Sequence, residues 1–121
     1  MAEILPPPGP DAKVIETYTA RGFRISKAEY LGAVVVVADQ VLPLEVKALP
    51  ELQAKHLSML DTFEVSYLIV GTPKPVSLPF ELITALKAKG IVPEVMELGA
   101  ACRTYNVLRT EGRQVAAALI P

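Results

Sequence analysis

Val65–Met96 reads VSYLIVGTPKPVSLPFELITALKAKGIVPEVM, two apolar runs on either side of a helical pattern. The runs Val65–Val70 and Ile91–Met96 are rich in β-branched residues, as strands are, and the first is apolar enough to be a buried strand. Between them, Pro79–Lys89 places leucines and an isoleucine at helical spacing, and Gly90 follows as a residue suited to a helix end. Strands joined by a helix pair in parallel through a right-handed crossover. This stretch therefore predicts a β-α-β unit.

The same alternation extends to both sides of this unit. Apolar residues from Pro50 to Phe63 fall at helical spacing, with the proline suited to a first turn. Downstream, Gly99–Thr110 predicts a helix and Gln114–Ile120 (QVAAALI) predicts a last strand. The order α-β-α-β-α-β over the C-terminal two-thirds is typical of an α/β fold with helices covering a sheet.

The N-terminal third predicts strands without helices. The segments are Val14–Ala20, Phe23–Ile25, Tyr30–Ala38 (YLGAVVVVA) and a short run Val41–Val46 limited by Pro43. We expect them to form an antiparallel addition to the sheet. Residues 1–12, with three consecutive prolines, predict an extended lead-in to a single domain over residues 13–121.

Composition limits the class of protein more than it identifies a function. Of the 121 residues, 51% are hydrophobic and 21% charged, which excludes a disordered or collagenous chain. The 12 Lys and Arg residues balance 13 Asp and Glu residues, so a nucleic-acid binder is not expected. Cys102 is the only cysteine and excludes an internal disulfide. With neither a signal sequence nor a membrane-length apolar run, the sequence predicts a cytoplasmic protein.

Two segments follow predicted strands at the edge where α/β sheets bind ligands. Gly71-Thr72 follows the strand 65–70, and Glu97–Ala100 follows the strand 91–96. Helix N-termini at that edge offer free N–H groups that could hold a small anion. The alternative interpretation is an ordinary pair of tight turns, because Gly71-Thr72 has neither the length nor the lysine of a nucleotide-binding loop.

The helix predicted over Gly99–Thr110 has an apolar and a polar side. At 100° per residue, Ala101, Thr104, Tyr105 and Leu108 share one face, with Ala100 and Val107 on its flank. Arg103 and Asn106 point the other way, which predicts a polar ridge aimed outside the domain. An arginine in such a ridge is typical of protein interfaces, and the alternative is a solvated surface residue or one that holds a neighbouring loop.

Cys102, between Asn106 and the edge of the core, could be reactive or inert. A cysteine near a helix N-terminus and beside an arginine can have a lowered pKa. A nucleophile also needs a base, however, and the only histidine, His56, lies on a different predicted helix. Metal-ligand spacing, a Gly-rich fingerprint and a Ser/His/Asp set are all missing from the sequence. We therefore expect a binding module with no catalytic residue, metal or cofactor.

The C-terminal quarter resembles the signature of a widespread archaeal, bacterial and mitochondrial family that includes respiratory complex I assembly factor 3. The resemblance is carried by Glu94-Val95-Met96-Glu97, Ala101–Asn106 (ACRTYN), Leu108 and Glu111-Gly112-Arg113, and upstream by Gly22–Ile25, Tyr30, Gly32 and Gly71-Thr72. It covers about residues 14–121. Two positions depart from the family pattern: Pro73 replaces a turn glycine, and Leu98 replaces a threonine whose hydroxyl would cap the helix.

The resemblance implies a three-layer α/β fold: a central mixed, mostly parallel sheet with helices, and a small extra β-layer. It implies no established enzymatic activity and suggests protein partners, such as respiratory-complex subunits or other assembly factors. We therefore predict a non-enzymatic interaction module of an assembly or biogenesis pathway. The alternative is a small-anion binder or an unrecognised enzyme with a pocket near Gly71-Thr72 and Gly99–Cys102, and a homodimer stays open. The candidate binding residues are Gly71, Thr72, Cys102, Arg103, Thr104 and Asn106.

Overall fold

The computed structural model describes residues 13–121, so the predicted lead-in over residues 1–12 lies outside the described part. The strands are β1 (Ile15–Tyr18), β2 (Gly22–Ile25), β3 (Ala28–Leu31), β4 (Val34–Val37), β5 (Gln40–Pro43), β6 (Tyr67–Thr72), β7 (Val92–Glu97) and β8 (Val115–Leu119). The α-helices are α1 (Phe80–Ala88) and α2 (Leu98–Thr110), and two 3₁₀ segments cover Leu49–Glu51 and Ala54–Thr62. From α1 onwards, each element begins and ends within one residue of its predicted segment.

The strands form two sheets. A three-stranded antiparallel sheet has the order β1-β2-β3, and a five-stranded sheet has the order β5-β4-β8-β6-β7. In the larger sheet, β6 pairs in parallel with both β7 and β8, whereas β4 pairs antiparallel with both β5 and β8. The mixed sheet is thereby confirmed. Its parallel part is the β6-β7-β8 half, and its pairings divide evenly between the two directions.

Three layers follow from the way the large sheet is covered. One face packs against α1 and the 3₁₀ segments through Val35, Leu68, Val70, Ala116 and Ala118. The other face packs against α2 and the small sheet through Val34, Val36, Ile69, Ala117 and Leu119. All residues of β4 and β8 are buried, as expected of strands covered on both sides. The predicted three-layer α/β fold is confirmed.

The single strand predicted over Tyr30–Ala38 is wrong. The N–H of Gly32 donates to the carbonyl of Arg21, and the left-handed φ of +77° at Gly32 then turns the chain and ends β3. β4 then begins at Val34 in the other sheet. Only glycine adopts this left-handed backbone without steric cost, so the glycine inside the apolar run marks a change of sheet.

The α-helix predicted over Pro50–Phe63 is also wrong, because this region forms 3₁₀ segments instead. Leu52 and Gln53 are extended and separate the two segments. In the longer segment the buried side chains are Leu57 and Leu60, three residues apart, which matches the three residues per turn of a 3₁₀ helix. No helix within residues 13–121 combines the length and apolar character needed to cross a membrane.

Candidate functional site

The N-terminus of α2 is capped by a side chain of the chain itself. The carboxylate of Glu97 accepts hydrogen bonds from the N–H of Gly99 at 3.0 Å and of Ala100 at 3.2 Å. These two bonds hold the pKa of Glu97 below its ordinary value of 4.5, and the charge of Arg103 lowers it further. Glu97 thus supplies the cap that Leu98 cannot, and the N–H groups proposed for a small anion are already bonded to a negative charge.

Gly71 and Thr72 do not form the predicted turn. Both belong to β6 and are buried. A Cβ placed on Gly71 would lie 2.6 Å from the Cβ of Ala101 and 3.0 Å from Cδ2 of Leu119. The glycine therefore allows α2 to pack closely over the sheet. Neither residue lines the two grooves described below, and Gly99 and Cys102 line one of them without Gly71 or Thr72.

A first groove, the α2–β1 groove, lies between the small sheet and α2. It has a volume of about 310 Å³ and is lined by Ile15, Glu16, Thr17, Tyr18, Gly99, Cys102, Arg103 and Asn106. Polar atoms converge on Gly99: a Cβ there would lie 2.6 Å from Oη of Tyr18 and 3.2 Å from both Nη1 of Arg103 and Oε2 of Glu97. The absence of a side chain at Gly99 leaves room for these groups.

Asn106 does not face outward as the helical wheel predicts. Its Oδ1 accepts a hydrogen bond from the N–H of Ile15 at 3.0 Å, and its Nδ2 donates to the carbonyl of Ile15 at 2.8 Å. The carbonyl oxygen and the NH2 group of the Asn106 side chain therefore both hold β1 against α2. Asn106 lines the α2–β1 groove, but its polar groups serve the fold.

Arg103 keeps the outward position predicted for it. Its side chain is exposed, and within residues 13–121 its guanidinium makes neither a hydrogen bond nor an ion pair closer than 4.0 Å. Val107, predicted to lie on the flank of the core, is 56% exposed one turn further along the same side of α2. The exposed side of α2 therefore presents an arginine and an apolar residue together.

Cys102 has the environment of an inert thiol. Its side chain is buried, and burial raises its pKa to about 11, an effect that the nearby Glu97 carboxylate strengthens and Arg103 opposes. His56 lies in the 3₁₀ segment on the opposite face of the sheet, where its Nδ1 accepts a hydrogen bond from the N–H of Gln53 at 3.0 Å. The thiolate is disfavoured and no histidine adjoins it, so the reactive alternative for Cys102 has no structural support.

A second groove, the α2–β7 groove, opens on the other flank of α2. It has a volume of about 1220 Å³ and is lined by Ser66, Tyr67, Val92, Glu94, Met96, Thr104, Leu108, Gly112, Arg113 and Gln114. The hydroxyl of Tyr67 donates a hydrogen bond to the carboxylate of Glu94 on its floor. Thr104 lies here, apart from Cys102, Arg103 and Asn106. The candidate residues on α2 are thus divided between two grooves.

Sequence reasoning did not identify the floor of the α2–β7 groove. A signal was present, because Val92, Glu94 and Met96 alternate along one face of a strand and interrupt an apolar face with an acid. Recognising it requires knowing that β7 is the edge strand. No cluster of three or more His, Cys, Asp or Glu side chains suited to a metal ion occurs in the part of the chain that is described.

The fold and the site define a three-layer α/β domain whose last helix lies between two open grooves. The chain belongs to the family described as "Protein of unknown function (DUF498/DUF598)", whose pattern matches residues 15–120. The resemblance inferred from the ACRTYN motif is thereby confirmed.

Named relatives of this chain include mitochondrial and bacterial proteins. It is 34% identical over 111 residues to the NADH dehydrogenase (ubiquinone) 1 alpha subcomplex assembly factor 3 of Danio rerio, covering 89% of this chain and 64% of that protein. It is 33% identical over 112 residues to an uncharacterized protein of Rhodobacter capsulatus, covering 88% and 83%. The chain thus spans about three-fifths of the length of the curated assembly factors that it matches.

Solved structures show the same fold. A crystal structure of a Bordetella parapertussis protein aligns with a TM-score of 0.82 at 27% identity, covering 91% of this chain and 96% of that one. The fold described above is therefore shared with that protein over nearly its whole length.

Proposed function

We propose that this chain is a non-enzymatic protein-interaction module that acts in the assembly of a membrane-associated complex. The observation that carries the proposal is the exposed Arg103 guanidinium, free of intramolecular hydrogen bonds within residues 13–121 and placed beside the α2–β1 groove. The similarity to proteins named as NADH dehydrogenase assembly factors supports the assembly role.

The neighbours of Arg103 suit a protein partner. Val107, one turn along α2 from Arg103, is 56% exposed, and Tyr18, whose Oη lies with Nη1 of Arg103 beside Gly99, is 44% exposed. Interface hot spots are enriched in tyrosine and arginine, and the planar guanidinium donates directional hydrogen bonds to carboxylates and carbonyls. We infer a partner that brings a carboxylate or backbone carbonyls to Arg103, such as a respiratory-complex subunit or another assembly factor.

The non-enzymatic part of the proposal is supported by the chemistry of α2. The Cys102 thiol has a raised pKa and no adjacent histidine, and the N–H groups at the start of the helix bind Glu97. These features speak against the nucleophile and the anion site on which the alternative function depends. A cytoplasmic location stays a prediction.

Affinity purification from the source cells, followed by mass spectrometry, tests the proposal. The tagged wild-type chain is compared with Arg103→Ala and with Arg21→Ala, whose arginine is exposed in the turn between β1 and β2 and serves as the matched control. We expect Arg103→Ala to lose specific partners that Arg21→Ala retains, with unchanged thermal stability in both variants. Identical partner sets for all three proteins would contradict the proposal.

A further inference from the structure

β7 presents an open edge of the large sheet next to the α2–β7 groove. It is the last strand in the order β5-β4-β8-β6-β7 and, among residues 13–121, pairs only with β6. The N–H of Val92 donates to the carbonyl of Ser66 at 3.0 Å, so backbone groups at even positions face β6. In a parallel ladder the alternate residues face the other way, which directs the Pro93 carbonyl and both backbone groups of Val95 outward.

The two faces of β7 differ in what they offer to an added strand. Val95 packs against the core cluster on the α1 side, whereas Met96 packs on the α2 side. On the α2 side, Val92 is 55% exposed and Glu94 is exposed. A strand added along β7 would therefore place every second side chain into the α2–β7 groove.

The groove lining has an ordered chemical pattern. From the C-terminal end of β7 towards its start come apolar Met96, acidic Glu94 and apolar Val92, and basic Arg113 lines the same groove. Arg113 lies in the loop between the end of α2 and the start of β8, and Val115 of β8 pairs with Tyr67, the first residue of β6. Arg113 is therefore at the end of the sheet where the parallel strands begin, beyond Val92. A complementary strand that runs in this direction needs, at alternate positions, an apolar residue for Met96, a basic residue for Glu94, an apolar residue for Val92 and an acidic residue for Arg113.

We propose that the edge of β7 binds an extended segment of a partner protein, antiparallel to β7, with the pattern apolar-x-basic-x-apolar-x-acidic. Antiparallel pairing is the more stable ladder per residue, and strand addition at an open edge is a common mode of peptide recognition. Pro93 lacks an N–H, so the added strand would bond to the Pro93 carbonyl and to both backbone groups of Val95, and the charge of Glu94 would favour a basic residue opposite it. This inference rests on the proposed interaction function but uses a surface separate from Arg103.

A second copy of the chain is a poorer occupant of this edge. Antiparallel pairing of β7 with its own copy about Val95 would set each Glu94 opposite Met96 of the other copy. Two carboxylates would then enter the interface with no basic residue of β7 to meet them. A partner segment with a basic residue at that position brings a positive charge to the Glu94 carboxylate, and the copy does not.

Selection of a displayed library of random seven-residue peptides tests the inference. The full chain, Glu94→Lys and Arg103→Ala serve as three targets. We expect the wild type and Arg103→Ala to enrich the stated pattern with a basic third position, and Glu94→Lys to enrich an acidic third position. The synthetic wild-type consensus peptide should bind Glu94→Lys about tenfold more weakly, since an attractive pair becomes repulsive, and should slow hydrogen exchange at the Val95 amide.

Three results would overturn the inference: no enriched pattern, the same peptides enriched by the wild type and Glu94→Lys, or unchanged exchange at Val95. Sedimentation that shows a dimer disrupted by Glu94→Lys would assign the edge to a second copy and would also overturn it. The proposed function fails separately, when Arg103→Ala leaves the cellular partner set unchanged.

Discussion

Arg103 and Asn106, two polar residues on α2, have different roles. Asn106 binds both backbone groups of Ile15, which lies 91 residues earlier in the chain. Arg103 makes no comparable bond within residues 13–121. A helical wheel places both on the polar side and cannot distinguish them, because the partner of Asn106 comes from a distant strand. Substitution of Asn106 should therefore lower the stability of the fold, and substitution of Arg103 should weaken partner binding.

We predict that Asn106→Ala lowers the free energy of unfolding by about 2–3 kcal/mol. Two hydrogen bonds are lost, and the half-buried N–H and carbonyl partners at Ile15 are left unpaired. Urea unfolding followed by circular dichroism measures the change, with Arg103→Ala as the control that should match the wild type. Equal stability of Asn106→Ala and the wild type would show that β1 is held by other contacts.

Alkaline pH provides a second prediction at the level of one residue. The pKa of Cys102 is raised from 9.0 to about 11 in the folded chain, so the unfolded thiol ionises first and unfolding releases a proton. Stability contributed by the protonated thiol is therefore complete below about pH 9 and is lost as the pH rises towards 11. The loss should reach roughly 2 kcal/mol by about pH 11.

Comparison with Cys102→Ala isolates this contribution. The difference in unfolding free energy between wild type and variant should shift by roughly 2 kcal/mol between about pH 8 and about pH 11. Ionisation of the buried Tyr105 affects both proteins and cancels in the difference. A difference that stays constant with pH would mean that the thiol is more accessible than the structure shows.

Among the elements, α2 depends on a close approach to the sheet at Gly71. We predict that Gly71→Ala lowers the free energy of unfolding by about 1–3 kcal/mol, because the added Cβ would lie 2.6 Å from the Cβ of Ala101. Ala101→Gly removes the opposing Cβ and should relieve part of this cost. In a double-mutant cycle by urea unfolding, the double variant should be about 1 kcal/mol more stable than the sum of the single effects. Simple additivity would show that α2 moves away without steric conflict.

The sequence predicted elements better than it predicted their pairing. The alternation of apolar strands and helical stripes located α1, α2 and the strands beside them, because each periodicity is local. The run Tyr30–Ala38 was wrongly predicted as one strand. The backbone turns at Gly32, and β3 and β4 then pair in different sheets, which depends on contacts distant in sequence. Likewise, Gly71-Thr72 resembles a turn in sequence but lies inside β6, since the position of the glycine is set by Ala101 on α2.

For the molecule as a whole, charge placement argues against a small-anion function. Glu97 neutralises the N-terminus of α2, and the chain carries a formal net charge of −1. We predict that phosphate, sulfate and nucleotides leave the melting temperature of the wild type unchanged. An anion present at about 100 times its Kd would stabilise the fold by about 2.7 kcal/mol, a shift of several degrees for a domain of this size.

Glu97→Ala is the matched variant for that panel, because it frees the N–H groups of Gly99 and Ala100. Its melting temperature should rise more with sulfate than that of the wild type. A clear shift of the wild type with any of these anions would restore the binding-pocket alternative.

We propose that the partner binds the exposed side of α2. Hydrogen exchange of the captured complex tests this most directly. The chain bound to its purified cellular partner is compared with the free chain by mass spectrometry. We expect slower exchange in peptides covering β1 and α2, around Tyr18, Arg103 and Val107, and no change in α1 on the opposite face. Protection confined to α1 and the 3₁₀ segments would place the partner on the other side of the sheet and contradict the account.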